Sequence, residues 1–202
     1  MRYPPMIKPV ALAFPFLLAL TACAATPPPV GDADPVADNA SSPLAKALTL
    51  TEWRKAENRD TCAPVLFKGD GGVPATARRA DFAGGWAVAF DTPTKRSAYG
   101  IAGVGLLNSD QDSIDAKRNQ LQRQWPYFKE PLAGLPQPSF AGYGLEGASA
   151  YPANNPKGTG ADSLAYVRIA GQTCMYNVWS KVSRAHLEYL LDNMQIIEQP
   201  NR

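Results

Sequence analysis

The chain has 202 residues, of which 20 are Lys or Arg, 18 are Asp or Glu and one is His. A balance this close to neutral argues against a nucleic-acid partner, which calls for a basic stripe, and a lone histidine excludes a multi-histidine metal centre. The length suits one domain with a sizeable core, preceded by a short N-terminal extension.

Residues 1–9 hold Arg2 and Lys8 but no acid, and Val10 to Ala22 is an uncharged run containing Pro15 and ending in small residues. This is the n-region and h-region order of a secretory signal. A membrane-spanning helix needs about 20 apolar residues to cross ~30 Å of hydrocarbon, so residues 1–22 read as a signal peptide that is removed. The run ends in Leu20-Thr21-Ala22-Cys23, which resembles the lipobox of bacterial lipoproteins. The resemblance implies cleavage before Cys23, a diacylglyceryl group on its thiol and a further acyl chain, such as palmitate, on its amine. Two or more chains hold a protein on a membrane stably. Ala24, standing where Asp would retain the protein at the inner membrane, implies an outer-membrane lipoprotein facing the periplasm. The alternative is an ordinary signal cleaved near Ala22 or Ala25, with Cys23 left as a free thiol.

With Cys23 assigned to lipid, Cys62 and Cys174 are the remaining thiols, and an oxidising periplasm favours a disulfide between them. A catalytic cysteine and a metal ligand are the alternatives. Residues 23–43 are rich in Ala, Thr, Pro and Asp with no aromatic. Such a stretch buries too little apolar surface to offset ordering and reads as a flexible tether, stiffened at Pro27, Pro28 and Pro29. Residues 44–202 form the expected periplasmic domain. Past the tether, 18 basic residues face 15 acidic ones, a net +3.

Within that domain, Thr49-Leu50-Thr51-Glu52 fits a capping box and predicts a short helix burying Leu50 and Trp53. Gly69-Asp70-Gly71-Gly72 is a turn. Gly85 to Asp91 alternates, with Trp86, Val88 and Phe90 on one face of a half-buried strand. Ala98 to Leu107 predicts a second strand, whose Gly100, Gly103 and Gly105 permit close approach by another element. Ile114 to Trp125 reads as a helix with a narrow apolar stripe, Ile114, Leu121 and Trp125, ended by Pro126. Pro126 to Asp162 reads as loops and short edge strands. Leu164 to Ala170 and Thr173 to Ser180 predict a hairpin turning at Gly171-Gln172. Ser183 caps a closing helix with Leu187, Leu190, Leu191 and Met194 on one face, and Gln195 to Glu198 adds a short strand.

Few residues carry chemistry. His186 lies beside the apolar stripe of the closing helix, where a packed boundary histidine is the plain reading. HExxH, S-x-x-K and G-x-S-x-G are absent. Gly142-Tyr143-Gly144-Leu145-Glu146-Gly147 matches GxGxxG, but Pro152 follows where a helix is needed to receive a pyrophosphate. Asp110, Asp112 and Asp115 begin like a calcium loop, yet Asp115 and Leu121 stand where Gly and Glu are required; capping of the helix that follows explains them. No metal or cofactor is expected. Glu130 and Glu146 are the best candidates for a glycosidase pair, which needs carboxylates ~5–9.5 Å apart. Trp125, Tyr127, Phe128, Phe140, Tyr143 and Tyr151 form a candidate recognition surface, with packing under loops as the alternative.

The fold class expected is α+β: a single domain with an antiparallel sheet and about three helices on one face. The strand ending in Asp91-Thr92-Pro93 and the terminal helix leading to Ile196-Ile197 resemble the photosystem P-subunit and Mog1-like family over those two short segments, which carry no functional implication. The leading functional expectation is a non-enzymatic binding or interaction module, attached to the membrane through Cys23 and contacting an envelope protein or the cell wall. A cell-wall glycoside hydrolase and a carrier of an apolar ligand are the alternatives.

Overall fold

The computed structural model describes residues 40–82, 84–104 and 113–198. The signal, Cys23, most of the tether, Gly105, Asp110 and Asp112 lie outside them. The described elements run α1 (Pro43–Lys55), β1 (Val65–Phe67), β2 (Thr76–Ala80), β3 (Trp86–Thr92), β4 (Lys95–Val104), α2 (Ile114–Gln124), β5 (Tyr127–Lys129), β6 (Ser139–Leu145), β7 (Ser163–Ile169), β8 (Met175–Ser180), α3 (Arg184–Asp192) and β9 (Met194–Ile196). Seven strands form one antiparallel sheet in the order β2-β3-β4-β8-β7-β6-β5. A second sheet pairs β1 with β9, Val65 opposite Ile196. This is an α+β domain with a dominant antiparallel sheet, as the sequence implies.

The strand alternation divides the large sheet into two faces. On one, Trp86, Val88, Phe90, Tyr99, Ile101, Val167, Tyr176 and Val178 form the main core with Trp53 of α1 and Leu187, Leu190 and Leu191 of α3. Each of those leucines contributes roughly 1.5–3 kcal/mol relative to exposure. The helices do not all share this face. Leu121 and Trp125, at the C-terminal end of α2, pack with Phe140 in a separate cluster, and Phe140 alternates along β6 with Ala141, a member of the main core. The reason is local to β6: Gly142 has no side chain, and a Cβ there would lie 2.8 Å from Trp125 Cδ1 and 3.0 Å from Leu121 Cβ. The bare strand lets α2 settle on the opposite face.

Other departures have equally specific causes. The first helix starts at Pro43, with the Ser42 hydroxyl accepting from Ala45 N–H, so Pro takes the first turn where its missing N–H costs nothing. Thr49 is therefore mid-helix, its hydroxyl donating to Ala45 O at 2.8 Å, and Glu52 is not a cap partner. Ala40 is buried in the main core, so the folded chain reaches into the end of the segment read as a tether. β3 is buried on both faces from Trp86 to Phe90. β6 is no loop or edge strand: it lies between β5 and β7 and is buried from Ser139 to Gly144. β1 and β2 are elements the sequence did not announce.

Cys62 and Cys174 form a disulfide, with Cα atoms 5.4 Å apart across a sequence separation of 112. It ties the segment before β1 to the start of β8. Both cysteines are fully buried.

Candidate functional site

His186 is held at both ring nitrogens. Nδ1 lies 2.9 Å from Ser180 Oγ and Nε2 lies 2.9 Å from the Asp70 carbonyl. A carbonyl only accepts, so Nε2 carries the proton and Nδ1 accepts from the Ser180 hydroxyl, which itself accepts from Val182 N–H at 3.1 Å. The ring edge rests on Tyr99 at 5.0 Å between centroids. Burial holds the imidazole below its ordinary pKa, outweighing the Asp70 carbonyl and carboxylate, which act to raise it. This neutral histidine clamps the β1–β2 turn onto α3 and β8, in agreement with a packed boundary histidine.

Glu130 and Glu146 are not a pair. By the register that sets Lys129 opposite Ala141, Glu130 falls near Phe140, and Glu146 follows Leu145 at the far end of β6. Six residues of strand separate them by ~20 Å of backbone, far beyond glycosidase spacing. Glu130 is also committed: both its oxygens accept from Arg118, at 2.9 and 3.1 Å. Arg118 binds Asp115 as well, at 2.6 Å, which accounts for Asp115 within the first turn of α2.

The GxGxxG segment is strand and turn. Gly142 and Gly144 lie in β6, and Gly147 turns the chain at φ 82°, with no helix to follow. In β4, the space over Gly100 is filled by Trp179 and that over Gly103 by Trp86 and the Cys62 sulfur, while α2 packs on β6 and β5. The space along β4 that a carrier of an apolar ligand would need is therefore filled at Gly100 and Gly103 by the protein's own side chains.

The candidate aromatic surface is largely core. Trp125, Phe140, Tyr143 and Tyr151 are buried, and only Tyr127 and Phe128 are half-buried. They divide between faces: Trp125, Phe128 and Phe140 pack under α2, whereas Tyr127, Tyr143 and Tyr151 gather around Arg184, whose guanidinium sits 4.4 Å above the Tyr127 ring. Glu188 accepts from the Tyr143 hydroxyl at 2.7 Å and from Arg184 at 2.9 Å. Burial acts to raise the Glu188 carboxyl, but these two hydrogen bonds and the nearby cations outweigh it and hold it below its ordinary value. The tyrosine cage thus encloses the protein's own cation.

Two surface clefts stand out among the described residues. One, of about 350 Å³, is lined by Glu52, Lys55, Arg79, Asp81, Phe82 and Trp86 among others. Its charges are mutually satisfied: Glu52 binds Lys55 at 2.8 Å and Arg79 at 3.2 Å, and Arg79 also binds Asp81 at 2.9 Å. The other, of about 210 Å³, is lined by Glu146, Asp162, Ser163, Leu164, Trp179 and Lys181. There the two carboxylates and the ammonium form no ion pair among the described residues. A backbone bond from Glu146 N–H to Asp162 O, 3.0 Å long, sets the acids side by side, and Lys181 N–H donates to Ala98 O at 2.7 Å. Leu164 and Trp179 are register partners on β7 and β8.

Of these lining residues only Glu146 was singled out from the sequence. The available signal was Trp179, which alternates out of phase with the inward-facing Tyr176 and Val178; an aromatic on the outer face of a strand is a binding cue. Among the described residues no group of His, Cys, Asp and Glu is placed to hold a metal ion, and no helix is long and apolar enough to cross a membrane. No protein-family model, curated protein or solved structure matches this chain.

Proposed function

We propose that this protein is a lipid-anchored module of the bacterial cell envelope that binds a partner and does not transform it, with the Trp179 cleft as its binding site. One observation carries the site: acids and a base surround an aromatic in that cleft without being spent on one another, whereas His186 and Glu130 are committed to internal hydrogen bonds. Pockets that bind small molecules combine an apolar wall with a few convergent polar groups. The address rests on the lipobox resemblance at Cys23, with the signal before it and the Pro-rich spacer after it.

Mass spectrometry of the mature N-terminus tests the anchor: an acylated peptide beginning at Cys23 is expected, and an unacylated peptide beginning elsewhere refutes it. Crosslinking of the lipidated full-length protein in intact envelopes tests the module. A specific adduct that Trp179→Ala removes is expected, and an adduct pattern unchanged by that substitution refutes the cleft.

A further inference from the structure

We infer that the Trp179 cleft receives one ring of a hydroxyl-rich sugar chain, of the N-acetylated amino-sugar class. The inference rests on the binding-module reading of the same cleft and gives its ligand a chemistry.

Trp179 is the only one of the four tryptophans that is not buried; Trp53, Trp86 and Trp125 are 5%, 1% and 5% exposed. Its ring rests against the glycine gap in β4. A Cβ at Gly100 would lie 2.2 Å from indole Cζ2 and 2.6 Å from Cη2, so the six-membered ring seats directly on the β4 backbone and loses little freedom when a ligand arrives. An aromatic face is electrostatically negative, and the C–H face of a pyranose ring is weakly positive and apolar, so the two stack. Leu164, opposite Trp179 in register, extends the apolar wall, against which an acetamido methyl would rest.

The polar groups then match the rim of such a ring. Glu146 and Asp162, held adjacent by their shared backbone bond, accept from hydroxyls as charge-assisted bonds. Lys181 donates to a ring or acetamide oxygen. The mixed signs select against ions: a cation meets the Lys181 ammonium and an anion meets two carboxylates, whereas a neutral polyol uses all three groups. About 210 Å³ is below the ~300–1,000 Å³ of sites for drug-sized ligands, which limits the occupant to a single ring. With ~15 non-hydrogen atoms at the low end of ligand efficiency, the dissociation constant is on the order of 1 mM, a useful strength for a protein facing a polymer with many copies of the same unit.

The test uses the full-length protein in detergent micelles and chitotetraose as the probe, followed by saturation-transfer NMR on the sugar protons and by acrylamide quenching of tryptophan. The expected result is saturation of the sugar ring with a dissociation constant near ~1 mM and shielding of Trp179 from quencher. Glu146→Gln and Asp162→Asn should each weaken binding about tenfold, the worth of one charge-assisted hydrogen bond, and Trp179→Ala should abolish it. Both acids are exposed, so those two variants keep the readout even if Trp179→Ala perturbs folding. No saturation at 20 mM sugar, saturation unchanged in all three variants, or shielding by tetramethylammonium in place of sugar each overturn the inference. If the sugar fails while envelope crosslinking still depends on Trp179, the module reading stands without the glycan; if both fail, the cleft is not a site.

Discussion

Reducing the Cys62–Cys174 disulfide removes a covalent constraint across a sequence separation of 112 residues. In the chain-entropy model a loop of that length restricts the unfolded ensemble by about 16 cal/mol/K, or about 5 kcal/mol at 25 °C. Domains are stable by only ~5–15 kcal/mol, so reduction should remove a third or more of the total. With a urea m-value of ~2 kcal/mol/M the midpoint should fall by ~2 M, and the melting temperature by ~10–20 °C for a domain of this size. The assay is urea unfolding of the same preparation, oxidised and reduced, followed by tryptophan fluorescence. Trp86 is a suitable reporter, because its indole and the Cys62 sulfur both press on Gly103. The Cys62→Ser, Cys174→Ser double variant should track the reduced protein, and the reduced m-value should rise as the unfolded chain expands. Midpoints that coincide within ~0.3 M would refute the reasoning, since the cross-link would then constrain nothing that unfolding releases.

Protonation of His186 opposes its environment, because burial lowers its folded pKa below the unfolded value near 6.5. The unfolded state then binds more protons, so stability is complete above pH ~6.5 and declines as pH falls towards the folded pKa; His186→Gln should flatten the slope of the urea midpoint between pH 7 and 5, and an unchanged slope counts against the clamp. Gly142→Ala sets a methyl 2.8 Å from Trp125 and 3.0 Å from Leu121, an overpacking expected to cost ~1–3 kcal/mol by urea unfolding; wild-type stability would mean that α2 is not seated on β6. Ser42→Ala should cost ~1 kcal/mol through loss of the helix cap, and no change would return the start of α1 to Thr49.

The elements most legible in the sequence are those whose causes are local. Ser183 caps α3 through His186 N–H, the leucines keep a 3.6 period, and Gly171 turns the β7–β8 hairpin at φ 75°; each signal sits within a few residues of its effect. The disulfide is legible by arithmetic under the expectation that Cys23 carries lipid. The capping box at Thr49 misled because Ser42, seven residues earlier and followed by Pro43, offers a cap of equal quality and lengthens the helix. β6 was illegible for a related reason: Gly142 and Gly144 weaken a strand taken alone, and the compensation comes from Trp125, 17 residues away in sequence from Gly142, and from strands on both sides.

Composition, the N-terminal order of charge and apolarity, and helix and turn chemistry were all readable along the chain, since each depends on neighbours close in sequence. The sheet order, the face chosen by α2, the burial of the supposed aromatic surface and the gathering of Glu146, Asp162, Trp179 and Lys181 were not. Those four residues come from the ends of three strands, and the register of β6 on β7 and of β7 on β8 brings them together. Such pairing is set by cooperative packing over long sequence separations, which the local pattern of any one strand does not encode.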